Sequence, residues 1–197
     1  MGILQSYFME YLIVFISYIL GSLPSGYFIV KYYSNKDIRT IGSKSIGATN
    51  VGRVLGRKGF ILTFVIDFTK AFLFIYLIII LGISKPILEL SVLAIVIGHI
   101  FPIFLKFRGG KGIAITIGSL LAYNYILLLI LVILSLILYL FIRKFTISGL
   151  FALLILPAYN MIFVNNNTQL YLLLGLNIII TIAHKENLRS YILDLRK

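Results

Sequence analysis

The run GFILTFVIDFTKAFLFIYLIIILG, residues 59 to 82, limits what this chain can become more than any other feature. As a helix rising about 1.5 Å per residue, it is long enough to cross a hydrocarbon core of roughly 30 Å. Several other runs are nearly as apolar. With 60% hydrophobic and 12% charged residues, a chain of 197 residues has more apolar side chain than a soluble interior of this size can hide. We therefore expect an all-α, polytopic integral membrane helical bundle, built as a single domain over residues 1–197. The first apolar stretch lacks a basic n-region and carries Gln5 and Glu10, so it reads as a retained span and not a cleaved signal. Cysteine is absent, which excludes disulfides and thiolate chemistry.

A net charge of +12 raises the question of nucleic acid, and the distribution of charge answers it. Lys31, Lys36, Arg39, Lys44, Arg53, Arg57 and Lys58 form one cluster, and Lys106, Arg108 and Lys111 a second. Arg143 and Lys144 form a third, and Lys185, Arg189, Arg196 and Lys197 a fourth. Basic clusters between apolar runs follow the positive-inside pattern, so all four belong on the cytoplasmic side and nucleic acid is not the partner. That requirement sets the helix count. The expected spans are Leu4–Val30, Gly59–Leu81, Leu88–Leu105, an apolar run from Ile113 to Ile142 broken near AYNY, Phe145–Val164 and Leu170–Ala183. The total is about seven transmembrane helices, N-terminus outside and C-terminus cytoplasmic. The segment Gly112–Ala122 is short for a crossing, and five spans with two re-entrant pieces is the alternative.

The polar loops then fall on one face: IGSKSIGATNVGR, KFRGGKGIA, RKFTIS and HKENLRS. Their chemistry suits phosphate. Gly42, Gly47 and Gly52 let backbone amides approach an anion, and Ser43, Ser45, Thr49 and Asn50 add neutral donors. Arg53 offers a planar fork for phosphate oxygens. GGKG repeats the theme with Gly109, Gly110 and Gly112 around Lys111, at the start of the next apolar run. RGGKG is not a nucleotide P-loop, because Leu105 and Gly112 stand where glycine and Ser/Thr are required. Metal catalysis is poorly supplied by two histidines, His99 and His184, and six carboxylates. Neither histidine leads into the aspartate of the soluble-type acyltransferase signature, and no serine has a G-x-S-x-G elbow.

GSKSIGATNVGR, GHIFPIFLKFRGGKGIA and AHKEN together resemble the bacterial acyl-phosphate:glycerol-3-phosphate acyltransferases, the PlsY family. The resemblance runs from GSLPSGY in the first span to the C-terminal HKEN. It implies transfer of a fatty acyl group from acyl phosphate to the 1-hydroxyl of sn-glycerol 3-phosphate, giving lysophosphatidic acid and phosphate. This is the first step of bacterial phospholipid synthesis, performed in the cytoplasmic membrane by a multi-pass protein whose site faces the cytoplasm. It implies no cofactor or metal, and as partners the two substrates, membrane lipid and the enzyme that makes acyl phosphate.

By the same resemblance, Ser43, Ser45, Gly47, Ala48, Thr49 and Asn50 hold the donor phosphate. Arg53 and Lys111 hold the phosphate of glycerol 3-phosphate, with Gly109 and Gly110 shaping that loop. His184 and Asn187 sit by the glycerol hydroxyls. Ser45 stands where the family most often has asparagine, and the family's serine after the basic pair corresponds to Ser148 or to Thr146. His184 or the leaving phosphate takes the hydroxyl proton. Of the remaining polar residues, Asp67 and Lys70 are expected to pair within their span, His99 to make a hydrogen bond near the site, and Pro24–Gly26 to break the first helix. A carrier of organic phosphates and a polyprenyl-phosphate phosphatase are the other classes these loops allow. A carrier would show a matching polar set on the outer side, and a phosphatase a nucleophile or several acids; the chain has neither.

Overall fold

The structure, a computed structural model, describes residues 3–196; Lys197 of the fourth basic cluster lies outside them. Among the described residues all regular structure is helical, and the chain packs as two compact units, Met1–Tyr123 and Asn124–Lys197.

The first unit contains α1 (Ile3–Ser22), α2 (Ser25–Ser34), α3 (Ala48–Ile80), α4 (Lys85–Ile100) and α5 (Ile113–Tyr123). Pro24 lacks the N–H that would continue α1, and the chain restarts one residue later as α2. α1 packs on α4 through glycine: a Cβ at Gly21 would strike the Ile95 carbonyl, and one at Gly98 the Tyr18 carbonyl. Small residues let helices approach closely in lipid, where there is no water to drive them together. α3 meets α5 in the same way, with Gly118 against the Phe68 carbonyl. Val92, Ile95, Ile115, Leu120 and Ile75 fill the space between. At one end of the unit, Val30, Ile38, Ile46, Val51 and Leu105 form a small core of their own beneath the polar loops.

The second unit contains α6 (Tyr125–Ile142), α7 (Phe145–Tyr159), α8 (Asn167–Ala183) and α9 (Lys185–Leu195). Asn124 starts α6 as its N-cap, its side chain accepting from the amides of Ile126 and Leu127. The expected break near AYNY is therefore real. Arg143 ends α6 in the left-handed conformation at φ 58°. Pro157 interrupts the hydrogen-bond ladder of α7, which closes in a π-turn over Asn160–Val164. Asn166 then caps α8 through the Gln169 amide.

Among the described residues five segments are long and apolar enough to cross a membrane: Phe8–Ser34, Ala48–Ile80, Lys85–Leu105, Tyr125–Ile142 and Phe145–Val164. Asn167–Ala183 with Lys185–Leu195, bent by 68°, makes a sixth if the bent pair is one span. The seventh expected span is α5, whose 11 residues reach only about 16 Å. Seven apolar segments exist, but α5 is too short to cross.

The greater departure from expectation is at α3. Its first eight residues, read from the sequence as loop, are helical. The helix then breaks at Gly56, where φ is +71° and ψ −165°, before resuming as the long apolar span. No atom would meet a Cβ there. Backbone conformation, not space, is what calls for glycine at this position.

Candidate active site

In the first unit the two glycine-rich loops are brought together. The Ile46 N–H donates to the Gly109 carbonyl at 3.4 Å, and a Cβ on Gly47 would lie 3.9 Å from the Lys111 amide nitrogen. Gly47 is the N-cap of α3, so the first-turn amides of Ala48 and Thr49 have no carbonyl within the helix to receive them. They form a cradle that is positive in partial charge, reinforced by the helix dipole. Thr49 and Ser43 are exposed beside it, and Ser45 turns its Oγ to accept from the Gly47 N–H at 3.2 Å. Arg53, exposed and one further turn along the helix, lies with its Cδ 3.8 Å from where a Cβ on Gly42 would sit. Arg53 thus lies across the loop from the outside.

Asn50 has a different role from the donor expected of it. It is 1% exposed, and its Nδ2 donates to the carbonyls of Ile41 (3.0 Å) and Ser45 (2.9 Å). Its Oδ1 accepts from the Ser43 amide at 3.0 Å. Three bonds to three backbone positions make it the internal brace of the loop, with both donors already engaged.

The GGKG loop is fixed just as firmly. Lys106 and Phe107 take successive left-handed conformations (φ 53° and 61°), which return the chain to the end of α4. There the Gly110 amide donates to the His99 carbonyl at 3.0 Å. A Cβ on Gly110 would overlap the His99 imidazole, and one on Gly109 the carbonyls of His99 and Ile100. The loop backbone lies on His99, and only glycine permits that approach. Lys111 follows, half-buried.

His99 in turn lies beside a polar network inside the unit, its buried Nδ1 making no hydrogen bond to it. Asp67 is 1% exposed; its Oδ1 lies 2.8 Å from Lys70 Nζ, accepts from the Ser25 hydroxyl at 2.7 Å, and lies 3.7 Å from His99 Nδ1. Lys70 also donates to the Leu23 carbonyl, at 2.8 Å, where the α1–α2 break leaves it without a helical partner. The expected Asp67–Lys70 pair exists and serves to close that break. A second buried pair, the Tyr123 hydroxyl donating to Glu89 at 2.6 Å, gave no signal in the sequence.

In the second unit, His184 lies at the bend between α8 and α9 and is 2% exposed. Its Nδ1 is 2.9 Å from the Ile180 carbonyl. A carbonyl only accepts, so the neutral ring carries its proton on Nδ1, and Nε2 is the acceptor nitrogen. Asn187 is half-buried in the first turn of α9. Ser148 is fully buried in the first turn of α7, and its hydroxyl donates back to the Lys144 carbonyl at 3.1 Å. Thr146, the other expected counterpart, is half-buried. Lys144 pairs with Asp194 and sits 5.2 Å from the centre of the Tyr191 ring, which fastens α9 to the start of α7. Among the described residues no group of three or more histidines or carboxylates could hold a metal.

A family model described as glycerol-3-phosphate acyltransferase matches residues 11–193. Glycerol-3-phosphate acyltransferase 1 of Desulfitobacterium hafniense is 39% identical over 88% of this chain and 86% of its own length. The glycerol-3-phosphate acyltransferase of Pelagibacter ubique is 37% identical over 92% and 93%. Among solved structures, PlsY, an integral membrane glycerol 3-phosphate acyltransferase, superposes in its glycerol 3-phosphate form with a TM-score of 0.84 at 29% identity, covering 94% of this chain and 93% of that one. Its lysophosphatidic acid form gives 0.81. This chain belongs to the glycerol-3-phosphate acyltransferase family and is a multi-pass membrane protein.

Proposed function

We propose that this member of the family takes its acyl group from acyl phosphate and delivers it to the 1-hydroxyl of glycerol 3-phosphate, releasing lysophosphatidic acid and inorganic phosphate. One observation carries the reading: the start of α3 and the GGKG loop abut, so two separate sets of phosphate-seeking groups share one end of the first unit. A reaction with two phosphorylated substrates needs two such sets. The amides of Ala48 and Thr49, with the hydroxyls of Ser43 and Ser45, suit the donor phosphate, and Gly47 leaves the approach to them open. Arg53 and Lys111 suit the acceptor phosphate, since a planar fork and a point charge together fix a dianion.

An acyl phosphate is a mixed anhydride with a good leaving group, so direct attack suffices. The glycerol 1-hydroxyl oxygen bonds to the acyl carbon, the bond from acyl carbon to phosphate oxygen breaks, and the hydroxyl proton passes to the departing phosphate. Holding both substrates in attack geometry supplies several kcal/mol of acceleration, up to about 7–11 in ideal cases. His184 and Asn187 orient the glycerol hydroxyls. With the Nδ1 proton held on the Ile180 carbonyl, Nε2 suits the hydroxyl as an acceptor. The step is the entry to phospholipid synthesis in the cytoplasmic membrane, with the phosphate loops on the cytoplasmic face. The basic clusters within these loops support that orientation.

The test uses purified full-length protein with palmitoyl phosphate and radiolabelled glycerol 3-phosphate. Labelled lysophosphatidic acid should form, and palmitoyl-CoA should not replace the donor. Equal rates from palmitoyl-CoA would sink the donor assignment. Transport of glycerol 3-phosphate into proteoliposomes without acylation would sink the enzyme reading altogether.

A further inference from the structure

α9 leaves α8 at 68° and has two unlike faces. One carries Asn187, Tyr191 and Asp194, spaced three to four residues apart, and is held to α7 by the Lys144–Asp194 pair and the Lys144–Tyr191 contact. The other is open. Together with the end of α8 it forms a groove of about 580 Å³, lined by Lys185, Arg189 and Arg196 and by Ile182, Leu188, Ile192 and Leu193. Three cations and four aliphatic side chains share this one surface, and among the described residues no carboxylate lines it. Ile182 and Ile192 are both about half exposed. His184 and Asn187 do not line the groove.

We propose that this groove binds an anionic phospholipid of the surrounding bilayer, one molecule per chain. Its phosphate would lie among Lys185, Arg189 and Arg196, and an acyl chain along Ile182, Leu188 and Ile192. Charge complementarity identifies the occupant. A purely apolar helix face would be covered by any lipid tail, and a purely basic one by any anion in solution. The combination selects a ligand with a phosphate at one end and hydrocarbon at the other, available at the depth of a helix that turns aside at the end of a span. The site is separate from catalysis and ties the bend after α8, where His184 sits, to the lipid composition of the membrane.

The experiment is native mass spectrometry of the detergent-purified full chain, titrated with dioleoyl phosphatidylglycerol or dioleoyl phosphatidylcholine. The wild type should bind one phosphatidylglycerol with about 100-fold preference over phosphatidylcholine. The R189Q/R196Q protein should keep only about five-fold preference, and R189K/R196K should keep nearly all of it. Equal binding of the two lipids, undiminished preference in R189Q/R196Q, or loss of preference in the lysine variant would each overturn the proposal. Displacement of phosphatidylglycerol by millimolar inorganic phosphate would show a simple anion site instead, and displacement by palmitoyl phosphate a substrate site. Persistence against both supports a phospholipid site.

Discussion

The two ends that carry chemistry are built in opposite ways. In the first unit, the phosphate loops are held by their own interior: Asn50 braces one loop through three backbone positions, and the other rests on His99, with glycine wherever a side chain would collide. In the second unit, His184 is placed by the bend after α8, with its Nδ1 on the Ile180 carbonyl one turn back. Binding a dianion requires several donors aimed at once, and only a rigid backbone provides that. Orienting a hydroxyl requires one acceptor, which a single side chain can present. If this contrast is right, buried residues that touch no substrate should matter greatly in the first region and little in the second.

The largest effect belongs to the charge itself. In the proposed clamp Arg53→Ala would remove a bidentate phosphate contact of about 3–4 kcal/mol, so kcat/KM for glycerol 3-phosphate should fall roughly 100- to 1000-fold. Steady-state assays across acceptor concentration check this, and a loss under tenfold would remove Arg53 from the acceptor clamp. Asn50→Ala breaks the contrast or makes it firm. It leaves the Ser43 amide and the Ile41 and Ser45 carbonyls without their side-chain partner at a cost of about 3 kcal/mol, and acyl transfer should drop about 50-fold although the Asn50 side chain is turned into the loop. Wild-type kinetics in that variant would mean that the loop does not need its brace.

His184→Gln comes next, with a loss of about 10- to 30-fold. Glutamine can still accept from the hydroxyl, so the shape of the pH–rate profile should be unchanged. Disappearance of the acidic limb would instead make His184 the base. Ser148→Ala, the counterpart of Asn50→Ala in the second region, removes only a bond to its own helix turn. Its activity should stay within about threefold of wild type. A tenfold fall would show that the hydroxyl meets substrate.

The smallest effect concerns the approach to the first loop. Arg39 donates to the Asp37 carboxylate and holds its pKa below the ordinary 3.8. The folded value being the lower one, the contribution is complete above 3.8 and disappears as pH falls through the folded value. Asp37→Ala should lower stability by at most about 1 kcal/mol at neutral pH, with the difference from wild type shrinking in acid. Thermal unfolding followed across pH checks both sign and size.

What was legible in the sequence followed from chemistry that leaves a local mark. Apolar length announced the helices, Pro24 the first break, and AYNY the break that Asn124 caps. The pairing of Asp67 with Lys70 followed from their spacing within a span, where neither charge can stand alone. Asn50 was read as a ligand because its partners, Ile41 and Ser45, are carbonyls, and any residue supplies a carbonyl. The short helix before Gly56 was missed for a related reason. Thr49, Asn50 and Gly52 have low helix propensity, and burial of Val51 in the small core beneath the loops overrides it. The meeting of GSKSIGATNVGR with GGKG is a tertiary fact, visible in the sequence only as two loops with the same taste for anions.

The break at Gly56 also governs depth. A continuous α3 of 33 residues would be about 50 Å long, some 20 Å more than a hydrocarbon core, and would carry Arg53 and the amide cradle away along the span axis. With the break, residues 57–80 reach about 36 Å and can tilt to match the bilayer, while residues 48–55 take their own direction over Ile46 and Leu105. The height of the phosphate-binding groups is thus set by the packing beneath them and not by the length of the helix that follows. The long helix can lean without carrying the cradle along its axis.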